Sequence, residues 1–146
     1  MIASMFNPTR DQARRFFIEA WRKRRQGLPA TALETQAAAI ALQHPEYQGL
    51  LEDDGAIERD WSPEDGQTNP FLHLSLHLAL EEQLAIDQPP GIRAALTSLQ
   101  DKLDDRHRAL HAAIECLAET LWRAQRDHAP LDAAAYLDCL RRGRDG

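Results

Sequence analysis

Cysteine is scarce in this chain: Cys116 and Cys139 are the two in 146 residues, and they stand in no metal-binding spacing. That excludes a thiolate zinc framework. Both fall in helical patterns among apolar neighbours, which predicts buried free thiols and a cytoplasmic setting. No apolar run approaches the roughly 18 residues of a membrane span, so no membrane association is expected. The opening MIASMFNPTRDQARR lacks the basic, apolar, small-residue order of an export signal. Positive charge is also short: the net charge of −6 argues against nucleic acid as a partner. Missing too are a Walker loop, GxGxxG, GxSxG and His-Glu-x-x-His, so nucleotide-binding, esterase and zinc-protease signatures fail. There is no solenoid-length repeat and no low-complexity segment.

What remains is ordinary in bulk, with 43% hydrophobic and 27% charged residues, enough for a core. The expected fold is all-α: one domain over residues 1–146, a bundle of about five helices with an acidic loop at 53–68. Helix one spans about 8–26, opened by Asn7-Pro8 or Thr9, with Ala13, Phe16, Phe17, Ala20 and Trp21 inward and Gly27 and Pro29 beyond its end. Its basic residues, from Arg10 to Arg25, read as a solvated face whose last cations suit the helix dipole. Thr31 and Glu34 form a capping box for helix two, which the His44-Pro45 pair must break. Pro45 then opens a short turn or helix to about Glu52. In the acidic loop, Trp61 is read as an anchor to the core. Residues 92–127 keep a three–four apolar spacing, as one long helix or two with a break near Asp104. Asp132 caps a last short helix. The apolar stripes of the first helix and of the one beginning at 92 are broad enough to permit a homodimer.

Residues 69–83, NPFLHLSLHLALEEQ, organise the reading. Their leucines alternate as in a strand, but Asn69-Pro70 is a helix start, and residues 70–85 contain no valine, isoleucine or threonine. In a helix, positions four apart drift by only about 40° per step, so His73, His77 and Glu81 share one face. The chain repeats this pattern at His107, His111 and Glu115. Chance placement of six histidines gives about 0.2 such pairs, and two are present.

Inward histidines and carboxylates on facing helices are how dimetal sites are built in bundles. Imidazole and carboxylate without thiolate suit iron, manganese or zinc. The candidate ligands are His73, His77, His107, His111 and Glu115, with Glu81 or Glu82, and His44 if the break after helix two points inward. Five histidines and two carboxylates match the ligand inventory of hemerythrin-type di-iron bundles, by composition alone. The Glu-x-x-His spacing of ferritin-like di-iron proteins is absent. Two other accounts stand beside this one. The histidines are a buried hydrogen-bonded cluster in a non-catalytic interaction module, or a pH-responsive cluster. For His44, a helix-end histidine bonding the last carbonyls is the alternative. No substrate or reaction follows from the sequence.

Long stretches carry a resemblance: His44-Pro45-Glu46-Tyr47, the run from Asp65 to His73, His77-Leu78-Ala79, the run from Asp87 to Arg93, His107, His111, Glu115-Cys116-Leu117, and Leu121-Trp122 with Ala124-Gln125-Arg126. On these the chain resembles a bacterial family of uncharacterised proteins, domain-of-unknown-function family 1841, over nearly its full length. The resemblance implies no activity. It places the carboxylate after the second histidine at Glu82 rather than Glu81, and a histidine where this chain has Gln48.

Overall fold

The computed structural model describes residues 10–59, 61 and 69–143. Among these residues every regular element is helical. In chain order they are α1 (Arg10–Gln26), α2 (Ala32–Leu42), α3 (Pro45–Leu51), a 3-10 helix (Asp54–Glu58), α4 (Pro70–Ile86), α5 (Ile92–Leu103), α6 (Arg106–Arg126) and α7 (Ala133–Arg142). Seven α-helices therefore replace the expected five or so, because PEYQGLL closes a helix of its own and the 92–127 stretch breaks. None of the described helices is long and apolar enough to cross a membrane. The chain divides into two compact units, Met1–Leu78 and Ala79–Gly146, with the boundary inside α4.

In the first unit, Phe17, Trp21, Ile40, Leu51, Phe71 and Leu74 are buried in one apolar cluster. The Thr31 capping box forms as expected: its hydroxyl accepts from the Glu34 amide (3.1 Å), and Glu34 accepts from the Thr31 amide (2.9 Å). Lys23 at the end of α1 reaches the same carboxylate at 2.8 Å, tying α1 to the start of α2. The Lys23 ammonium, and then the Thr31 amide, hold the Glu34 carboxyl below the usual carboxylate range.

Arg14 corrects the picture of a solvated basic face. It is 3% exposed. Its guanidinium donates to the carbonyls of Ala56 (3.4 Å), Ile57 (2.8 Å) and Arg59 (2.6 Å). It also lies 5.1 Å from the Trp61 ring centroid and 5.2 Å from that of Phe71. A buried guanidinium is tolerated because it is hydrogen-bonded and faces two aromatic rings. Trp61 packs edge-on to Phe71 at 5.8 Å, so it anchors its segment to the core as expected. The expected opening of α1 at residues 7–9, and most of residues 60–68, lie outside the described residues.

In the second unit, Asp87 turns the chain from α4 to α5 by accepting from the amides of Arg93 (3.0 Å) and Gly91 (3.4 Å). The Arg93 side chain covers the end of α4, donating to the Leu84 carbonyl at 2.7 Å. Asp104 takes a left-handed conformation (φ 54°) and ends α5. Asp105 then caps α6, accepting from the amides of His107 (2.8 Å) and Arg108 (3.3 Å). The periodic apolar pattern runs through this break without registering it, because the break is a single-residue backbone event. Tyr136 of α7 is fully buried, its hydroxyl donating to Gln83 Oε1 at 2.8 Å, and burial pushes its pKa up.

The free-thiol expectation is overturned: Cys116 of α6 and Cys139 of α7 form a disulfide, their Cα atoms 5.9 Å apart. Two inward cysteines on helices that pack together come within bonding reach, which linear spacing does not show. The cytoplasmic setting inferred from free thiols loses that support.

Two outcomes follow. Replacing both cysteines by serine removes a bridge that closes a loop of 23 residues, and lowers the unfolding free energy by about 3 kcal/mol in urea titration, by the loop-entropy relation. Substituting Arg14→Ala costs on the order of 2 kcal/mol, the scale of hydrogen bonds to a charged group, and speeds amide exchange at the 3-10 helix before the rest of the first unit.

Candidate metal centre

Three imidazoles converge in the first unit. Asn69 fixes where α4 starts, its Oδ1 accepting from the amides of Phe71 (3.0 Å) and Leu72 (3.2 Å), with Pro70 at the first turn. From that start, helical spacing sets His73 and His77 one turn apart on one face. The alternating leucines do not make a strand: Leu74 is buried at 0% exposure while Leu72 stands at 56%.

His44 comes from the junction of α2 and α3. A residue before proline is pushed out of the helical region, and His44 has φ −126° and ψ 72°. Its ring turns back on α2, with Nδ1 2.8 Å from the Ile40 carbonyl oxygen. This is the helix-end contact weighed above, and it does not remove His44 from the site. A carbonyl oxygen only accepts, so Nδ1 carries the hydrogen and Nε2 carries the lone pair. That Nε2 lies 3.2 Å from His73 Nε2.

Ring centroids are 5.0 Å apart for His44 and His73, 5.4 Å for His44 and His77, and 6.2 Å for His73 and His77. One nitrogen from each of the three lies within 4.8 Å of the others. His44 is 1% exposed and His77 0%, while His73 is half-buried. Tyr47 forms one wall, stacked on His44 at 5.4 Å with 4° between planes, and 6.0 Å from His73. Burial, then the nearby Glu46 charge, raise its hydroxyl pKa. Tyr47 was absent from the candidate ligands, although its three-residue spacing from His44 across a helix start was a usable signal. Gln48, where the family resemblance places a histidine, donates to the Ala41 carbonyl at 3.5 Å.

In the second unit, the His107 and His111 rings sit 4.0 Å apart on α6. His107 and Glu115 are exposed, and His111 is half-buried. Glu81 Oε1 lies 4.0 Å from Arg106 Nη2, and Glu82 is exposed.

One pair of the trio stands at the spacing of two ligands on a borderline cation. Zn–N bonds of about 2.05 Å at a tetrahedral angle set neighbouring ligand nitrogens about 3.3 Å apart. The His44–His73 nitrogen pair stands at 3.2 Å. A metal-bound histidine also characteristically donates its second N–H to a carbonyl or carboxylate, which fixes tautomer and ring orientation. His44 makes that bond to Ile40.

A family model described as a domain of unknown function (DUF1841) matches residues 9–142. No curated protein and no solved structure matches the chain.

The tautomer is directly measurable. Long-range proton–nitrogen correlation spectra of the metal-free protein at neutral pH will show His44 protonated at Nδ1 and bare at Nε2. The opposite assignment would remove the case for His44 as a ligand.

Proposed function

Since this chain belongs to the DUF1841 family, a domain of unknown function, its role must come from its own residues, and we propose that it binds a metal ion through clustered imidazoles. The observation that carries this reading is the part-buried His44 Nε2 to His73 Nε2 approach of 3.2 Å, with His44 locked by the Ile40 carbonyl. The proposed ligands are His44, His73 and His77, all in the first unit.

An all-nitrogen set favours zinc or iron(II) over manganese, which prefers oxygen ligands. Glu82 and Glu115, exposed as they are, enter the proposal only as outer groups able to accept a ligand's second N–H. A bound ion of this kind supplies Lewis acidity and an acidified water. The chain's own residues hold the ligand tautomers, keep solvent off the imidazoles and, through Tyr47, place a protonated phenol against the His44 ring.

The test is metal content of untagged protein prepared without chelator, beside His73→Ala and His77→Ala variants checked for helicity. The expected result is near-stoichiometric zinc or iron in the wild type, and at least about tenfold weaker retention in each variant. Free metal at a hundred times the dissociation constant adds about 2.7 kcal/mol of stability by mass action. Empty wild type, with a melting temperature unmoved by added zinc, iron or manganese, would refute the proposal. The imidazoles would then be a hydrogen-bonded cluster serving the architecture alone.

A further inference from the structure

The Cys116–Cys139 disulfide is not sealed from solvent on both sides. Cys116 is 1% exposed on the inner face of α6. Cys139 is half-buried and lines a surface cleft of about 590 Å³ between α6 and α7. Two ion pairs stand in the wall of that cleft: Arg123 with Glu119 at 2.8 Å, and Arg142 with Asp138 at 3.0 Å. The cleft therefore offers both signs of charge around Cys139, the less buried of the two cysteines. Its far side is firm, because Tyr136 and Leu140 of α7 are fully buried and the Tyr136 hydroxyl is bonded to Gln83. The cleft lies wholly in the second unit, and none of its residues belongs to the proposed metal ligands.

We propose that Cys139 is a site of thiol–disulfide exchange with a small peptidic thiol that carries both carboxylate and ammonium groups. The thiolate of the incoming molecule attacks Cys139 Sγ. A new S–S bond forms between its sulfur and Cys139, and the Cys116–Cys139 bond breaks. The electron pair leaves on Cys116 Sγ, which takes a proton from water; the incoming thiol is oxidised and Cys116 is reduced. Attack runs at Cys139 because that residue lines the cleft, whereas Cys116 is 1% exposed and lines none of it. The leaving group is the buried Cys116, so the adduct sits on α7, facing the cleft. Arg123 and Arg142 receive the carboxylates, and Glu119 and Asp138 the ammonium group.

The experiment treats the oxidised full-length protein with reduced glutathione, quenches with a maleimide and maps both cysteines by peptide mass spectrometry. The expected product carries glutathione on Cys139 and maleimide on Cys116. The rate rises linearly with thiol concentration. Per thiolate, it exceeds that of uncharged 2-mercaptoethanol by about fivefold, an advantage lost in an Arg123→Ser, Arg142→Ser variant of unchanged helicity. In a Cys116→Ser chain, where no protein bond need break, the Cys139 thiolate attacks oxidised glutathione, the glutathione S–S bond breaks, one glutathione leaves as thiolate and the other stays on Cys139, while in a Cys139→Ser chain Cys116 stays unmodified. Glutathione found on Cys116, a rate independent of thiol concentration, equal rates for the charged and neutral thiols, or an inert Cys139 in the Cys116→Ser chain would each overturn the proposal.

Discussion

The His44–Pro45 peptide bond is the constraint on which the candidate site depends. Proline denies His44 the helical conformation, so α2 ends there and α3 starts one residue later. The histidine at such a joint has no helical neighbour holding its side chain outward. It folds back on the Ile40 carbonyl in the last turn of α2, which also accepts from the Gln43 amide at 3.0 Å. One hydrogen bond thus covers a helix end, selects a tautomer and aims Nε2 at His73. Had α2 run on through residue 44, the ring would follow the helix surface and the approach to His73 would be lost.

The other half of the geometry comes from a second proline junction. Asn69 and Pro70 set the first turn of α4, and the helical period does the rest. The two junctions belong to one apolar cluster in the first unit, where Phe71 packs against Trp61 and beneath Arg14. Arg14 binds three carbonyls of the segment after α3, so the same core that carries His73 also fixes the chain leaving His44. A ligand set drawn from two elements needs this kind of support, because an imidazole misplaced by an ångström no longer shares an ion.

Much of this was legible in the residues. The caps at Thr31, Asn69 and Asp132 are local chemistry, and each appears where the sequence puts it. The all-helical class and the break at His44-Pro45 follow from local rules as well. The histidine motifs were visible as periodicity. What sequence reading could not place was the far side of the His44 ring, since nothing local says on which side of a helix break a ring will turn; its contact with a carbonyl of α2 is the helix-end alternative. Arg14 was misread because a basic residue on a basic helix looks solvated until the carbonyls it meets, more than 40 positions away, are known. The disulfide was missed for the same reason: the bond depends on how α6 and α7 pack, and a separation of 23 residues in helical sequence carries no sign of it.

The state of the sulfurs bears on the metal reading. Free thiolates are softer than imidazoles and compete for zinc and iron. In the disulfide neither cysteine has a thiolate to offer, so the chain presents nitrogen and oxygen donors alone. Among these, the imidazoles are the ones gathered out of solvent, while Glu82 and Glu115 remain in water where a carboxylate is well solvated and gains little from an ion. Desolvation therefore sorts the donors. A neutral imidazole loses little on burial and a carboxylate loses much, so the polar cluster that the sequence can bury at low cost is the histidine one. At 3.2 Å the bare His44 Nε2 can accept a hydrogen bond from His73 Nε2–H, so the neutral pair is satisfied as it stands.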